Sequence, residues 1–112
     1  MLVELGYFTL KVKDVVRAQR FYGDAFGWEF EGGPQGAHVK NTKLPVGIAP
    51  GGPVDISFVY FKVPNLDAAI AHISELGGTA RGRSESPSGL SAICTDDQGT
   101  EFSLWQPAPG FE

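Results

Sequence analysis

Four aromatic side chains, Tyr7, Phe58, Tyr60 and Trp105, fall where period-2 alternation puts them on one side of three strand-like runs. Together they would form either a wall suited to a flat, partly apolar ligand, because ring faces offer large contact area and directional stacking, or an interface or simple packing between the two halves of the chain. The same alternation adds Thr9 and Lys11 beside Tyr7, Lys62 beside Tyr60, and Glu101 and Ser103 beside Trp105. His38 stands on a short central run whose facing alternation leaves open. Its near-neutral titration makes it a candidate for lining the site or moving a proton. Tyr7 and Tyr60 can donate a proton but are poor bases at neutral pH, since phenols titrate near 10. The candidate ligand-binding set is therefore Tyr7, Thr9, His38, Phe58, Tyr60, Glu101, Ser103 and Trp105, with no catalytic residue assigned.

Other chemistry-bearing residues carry less. Arg81 and Arg83, two apart on one strand face, have a spacing that could grip a carboxylate or phosphate, although exposed strand charges commonly do no more than keep an edge soluble. Neither His38 nor His72 is tied by a motif to Ser103 or Cys94, so nucleophilic catalysis has no supporting context. His72 flanks an apolar helical stripe and reads as a surface residue. Cys94, the one cysteine, reads as a buried small apolar residue. Gly32-Gly33-Pro34 does not connect a strand to a helix, so it is a turn and not a phosphate loop.

The elements that must position these residues follow from periodicity. Tyr7 to Val12 alternate as a half-buried strand. Asp14 then stands at a helix N-cap position, and Val15, Ala18, Tyr22 and Ala25 form an apolar stripe flanked by Phe21 and Phe26, ending at Gly27. Three short strand-like runs follow, Trp28 to Glu31, Ala37 to Lys40 and Val46 to Ala49, giving the order βαβββ. A shift of 51 positions lays this unit on the second half without a gap, placing Tyr7 on Phe58, Lys11 on Lys62, Asp14 on Asn65, Ala18 on Ala69 and Gly27 on Gly78. The second helix carries Leu66, Ala69, Ile70, Ile73 and Leu76 on one face, and Thr79 to Ser86, Leu90 to Thr95 and Thr100 to Gln106 complete the repeat. The expected architecture is α+β, with tandem βαβββ modules at about 1–50 and 54–107 forming a curved mixed sheet within a single 1–112 domain. Each helix covers one sheet face, and the opposite faces would line a cup.

Composition bounds the function. The chain has 112 residues, with 15 glycines and 8 prolines, short of a low-complexity composition and consistent with many short elements joined by turns. A formal charge of −4 and no basic stripe disfavour nucleic-acid binding. No apolar stretch approaches the ~18 residues of a spanning helix, and the opening residues resemble no signal peptide. The expectation is a cytoplasmic protein without membrane or nucleic-acid partners.

The stretch Asp14, Ala18 and Phe21-Tyr22-Gly23-Asp24-Ala25-Phe26-Gly27-Trp28 resembles a signature of the vicinal oxygen chelate superfamily, which includes glyoxalase I, bleomycin resistance proteins and extradiol dioxygenases. Asp96-Asp97-Gln98-Gly99 through Gln106-Pro107 is similar to that superfamily's closing segment, and the Phe-Gly-Trp form is most like bacterial glyoxalase-related proteins. The resemblance implies the glyoxalase/bleomycin resistance/dioxygenase fold and a divalent metal held by one ligand from the first and one from the last strand of each module. Those positions fall on Tyr7, on Phe58, on Ser103 and within Val46-Gly47-Ile48. A phenol, a phenyl ring, a hydroxyl and an apolar or glycyl residue cannot replace imidazole and carboxylate donors, so no metal and no other cofactor is expected. The resemblance thus implies a metal-free protein that binds a small, partly aromatic organic molecule in the cup between modules, as a homodimer like bleomycin resistance proteins. The alternative is a glyoxalase-like lyase or isomerase, or a dioxygenase-related enzyme, with a displaced metal site or acid–base residues among Tyr7, Tyr60, His38 and Glu101.

Overall fold

The computed structural model describes residues 1–2, 7–51 and 55–111, and of residues 55–58 the backbone alone. The chain divides into two compact units, Met1–Gly52 and Pro53–Glu112. Each is a βαβββ module with its own four-stranded mixed sheet, as the internal repeat requires.

The first unit comprises β1 (Phe8–Val12), α1 (Val15–Phe26), β2 (Phe30–Gly33), β3 (Gly36–Val39) and β4 (Val46–Pro50). Its sheet order is β1-β4-β3-β2, with β1 parallel to β4 and the other pairs antiparallel. Helix α1 starts where Asp14, in extended conformation, accepts the Arg17 backbone N–H at 3.0 Å. It ends at left-handed Gly27, whose N–H donates to the Gly23 carbonyl at 3.0 Å. Its buried face is Val15, Ala18, Phe21 and Tyr22, and the helix packs on β2, β3 and β4, where Ala37, Val39, Val46 and Ile48 are buried; Leu10 and Val12 on β1 complete the buried apolar set. Phe21 belongs to this face and Ala25 is only half-buried, the reverse of the expected stripe, because the larger ring reaches the core from the stripe's margin.

Trp28 is not on a strand. It follows the reversal at Gly27 and stacks on Tyr22 at 5.6 Å between ring centroids, with Phe26 at 5.0 Å and Phe30 at 6.1 Å edge-on. Such pairs contribute on the order of 0.5–1.5 kcal/mol each beyond area burial. The Phe-Gly-Trp signature is therefore a packing device that closes α1 onto its own sheet.

The second unit comprises β5 (Asp55–Lys62), α2 (Leu66–Glu75), β6 (Thr79–Ser86), β7 (Gly89–Thr95) and β8 (Glu101–Pro107), in sheet order β5-β8-β7-β6 with β5 parallel to β8. Asn65 caps α2 by accepting the Ala68 N–H at 2.9 Å. At the other end Gly78 N–H donates to Ile73 and Gly77 N–H to Ser74, a paired closure that takes up two terminal carbonyls. Leu66 and Ile73 on α2 are buried, as are Ala92, Cys94, Phe102 and Leu104 on the sheet. Burial pushes the Cys94 thiol up to about 11, by desolvation of its thiolate.

Two parts of the closing segment are structural. Asp96, itself buried, accepts the N–H groups of Gln98 and Thr100 at 2.8 and 2.9 Å and so fixes the turn before β8. Gln106 accepts the Leu66 N–H on Oε1 at 2.8 Å, satisfying one of the free donors at the start of α2. No helix among the described residues is long and apolar enough to cross a membrane.

Candidate functional site

In each sheet the residues that alternate with the core ones form an open face, and strand register sets which of them are neighbours. In the second unit Tyr60 pairs with Ser103 and Ser103 with Ile93, while Lys62 pairs with Trp105 and Trp105 with Ser91. Paired residues project to the same side, so these two rows lie next to each other on the face opposite Phe61 and Phe102, whose rings pack edge-on at 6.2 Å.

A groove of about 440 Å³ opens on this face, lined by Tyr60, Ser86, Ser88, Gly89, Ser91 and Trp105. That volume lies within the range of small-molecule sites, roughly 300–1,000 Å³. Tyr60 is 55% exposed and forms one wall. The Trp105 indole N–H donates to the Ser88 carbonyl at 3.1 Å, which holds the ring under the β6–β7 turn and commits its one donor. Trp105 can therefore offer a ligand its ring face and nothing else. The serines are paired hydroxyl to hydroxyl, Ser84 with Ser91 at 3.0 Å and Ser86 with Ser88 at 2.9 Å. Gly89 lets the turn fold back: a Cβ at this position, which has φ 140°, would run into the Gln106 carbonyl and the Ala108 nitrogen.

Ser103, though on the open side, is only 1% exposed. Glu101 forms an ion pair with Arg81 and is 26% exposed. The side chain of Phe58 lies outside the described residues. Arg81 and Arg83 do not share a face. Gly82, with φ 62°, inserts a bulge between Arg81, opposite Ile93, and Ser84, opposite Ser91. Arg81 then meets Glu101, whereas Arg83 reaches Asp67 on α2 at 3.2 Å. Both guanidinium groups have intramolecular carboxylate partners, and a two-arginine grip on an anion is not formed.

In the first unit Thr9, Gly47 and His38 form one row across β1, β4 and β3, and Glu31 on β2 continues it. Tyr7 is half exposed and lays its hydroxyl over Gly47, where a Cβ would collide with it. His38 and Thr9 are both exposed, which resolves the facing of His38 in favour of this open row.

The donors at the positions where the resemblance implies a metal do not suit a divalent ion. They are a phenol at Tyr7, no side chain at Gly47, a phenyl ring at Phe58 and a buried hydroxyl at Ser103. Among the described residues no three His, Cys, Asp or Glu side chains gather where they could hold a metal ion.

The groove residues that sequence reasoning missed are Ser86 at the end of β6, Ser88 in the turn, and Gly89 and Ser91 on β7. Ser91 alternates with Leu90 and Ala92, a signal that would have placed it on the open side. The folding of the turn over the indole has no counterpart in residue pattern.

Solved structures resemble the chain throughout its length. Fosfomycin resistance protein FosX from Mesorhizobium loti matches with a TM-score of 0.75 at 21% identity, covering 97% of this chain and 96% of that one. The bleomycin-binding protein from bleomycin-producing Streptomyces verticillus, complexed with copper(II)-bleomycin, gives 0.67 at 20% identity, covering 96% and 100%. TnmS3, an antibiotic binding protein from Streptomyces sp. CB03234, gives 0.70 at 19% identity, covering 96% and 98%. At these identities the likeness establishes the fold. No curated protein matches the sequence. Residues 7–105 match the family model described as a glyoxalase-like domain, and the chain belongs to that family, within the vicinal oxygen chelate superfamily.

Proposed function

We propose that this protein binds a small, partly aromatic organic molecule without the aid of a metal, and that the groove of the second unit is the binding site. The observation that carries the proposal is the Tyr60–Trp105 groove, in which an anchored indole and an exposed phenol flank a space of small-molecule size. The similar bleomycin-binding and antibiotic-binding proteins support a binding role for this architecture. The donor set at Tyr7, Gly47, Phe58 and Ser103 supports the metal-free part, since Lewis-acid chemistry needs anionic or imidazole ligands that these positions lack.

Truncating either wall tests the site. Trp105→Ala and Tyr60→Ala are expected to weaken binding of a stacking ligand by about 30-fold or more, the behaviour of a buried aromatic anchor. Tyr60→Ala should leave the melting temperature nearly unchanged, because Tyr60 is more than half exposed. Calorimetric titration and thermal unfolding of the same variants provide both readouts. Equal losses of binding and stability would mean that the rings are core and not site.

A further inference from the structure

We infer that the groove selects planar aromatic anions, with Lys62 as the residue that recognises the negative group; this rests on the groove being the binding site. The register places Lys62 directly beside Trp105, on the same side of the sheet, and alternation puts it two residues along from Tyr60. Lys62 is exposed and forms no ion pair among the described residues, in contrast to Arg81 and Arg83, each of which is paired with a carboxylate. None of the described lining residues is a carboxylate, and Lys62, the strand neighbour of the lining residue Trp105, is a cation in a chain whose net charge is −4.

The uncharged groups point the same way. When two hydroxyls bond to each other, one donates and the other keeps its own O–H available. The Ser86–Ser88 pair, both members of which line the groove, therefore retains a donor there, and the Ser84–Ser91 pair retains one beside it. With the Tyr60 hydroxyl and the Lys62 ammonium, the polar rim is rich in donors around an apolar floor provided by the indole. The complementary ligand is flat and apolar on its faces, carries acceptor oxygens at its edge and bears a negative charge, as an aromatic carboxylate does. A cation–π arrangement is not required, because the ammonium sits beside the ring row and meets the substituent while the indole meets the ligand ring.

The test compares 1-naphthoate with its neutral counterpart 1-naphthamide by isothermal titration calorimetry, on the wild-type chain and on Lys62→Met and Lys62→Arg. Wild type is expected to prefer naphthoate by roughly three- to tenfold, the range for a charge-assisted contact at a partly exposed site. Lys62→Met should bring the ratio close to one while leaving naphthamide binding unchanged, and Lys62→Arg should retain the preference. The substitution is on an exposed strand position, so both variants should unfold at the wild-type temperature. Equal wild-type binding of the two compounds, or a preference that survives Lys62→Met, would overturn the assignment to Lys62 while leaving the groove as the site. Failure of both compounds to bind would remove the groove reading along with it.

Discussion

At the scale of single residues, the candidate set separates into side chains with different work. Tyr60 and Trp105 present ring surface to a groove, Glu101 is committed to Arg81, and Ser103 is buried beneath the open face. Alternation could not distinguish these outcomes, because it assigns a side of the sheet but not what covers that side. Gly89 shows a constraint of another kind, a backbone approach with no room for a side chain. Gly89→Ala is expected to cost about 2–4 kcal/mol, from the collision with the Gln106 carbonyl and an unfavourable positive φ, measurable by urea unfolding. Cys94 should resist alkylation at pH 8 in the folded protein and react once it is unfolded, since its thiol is raised to about 11. The same shift has a sign for stability. The folded state holds the thiol proton more tightly than the unfolded chain, whose pKa is 9.0, so the stabilising contribution is complete below about pH 9 and is lost as pH rises toward 11.

At the scale of elements, the segments that carry the family resemblance prove to be the joints of the fold. Phe26-Gly27-Trp28 ends α1 and stacks on Tyr22, Asp96 builds the turn into β8, and Gln106 takes up a free N–H at the start of α2. This explains why the fold was legible from sequence. Caps, turns and aromatic closures require particular residue types at fixed offsets, and the 51-residue repeat displays the helix cap and stop twice, Asp14 with Asn65 and Gly27 with Gly78. The misjudged elements have physical causes. Trp28 precedes an alternating run and so imitates a strand, but the left-handed Gly27 turns the chain and holds the indole against the helix. Arg81 and Arg83 are two apart, yet the Gly82 bulge breaks the parity on which shared facing depends. The adjacent residues Trp105 and Gln106 allow the structural and binding roles to be separated within one strand. Gln106→Ala should lower stability by about 1 kcal/mol, through the lost helix-start hydrogen bond, and leave ligand affinity within about twofold of wild type. Trp105→Ala should lower affinity by about 30-fold or more and, because it also removes the indole's bond to the Ser88 carbonyl, some stability, so that Gln106→Ala alone separates the two readouts, with denaturant unfolding and calorimetry as the paired measurements.

For the molecule as a whole, the duplicated module has kept its architecture while the two open faces have diverged. One presents Thr9, Gly47, His38 and Glu31 in a row, and the other presents an aromatic groove lined by serines, with Lys62 paired beside Trp105. A sequence repeat reports the shared frame clearly, but ligand chemistry resides in positions where the two copies differ, such as Thr9 against Tyr60. Purified protein incubated with Ni, Zn, Mn or Fe is expected to retain well under one equivalent after dialysis, as measured by elemental analysis. Where a ligand binds is the central property of the molecule to establish. The most direct measurement is a titration of ¹⁵N-labelled protein with 1-naphthoate in the presence of a chelator, followed by backbone and indole N–H resonances. The chain has two tryptophans, so the two indole signals are separately readable. Binding in the groove predicts saturable shifts at the Trp105 indole and at the backbone amides from Ser88 to Ser91, with the Trp28 indole unmoved. Shifts centred on Tyr7, Thr9 and His38, or none at any ligand concentration, would contradict it.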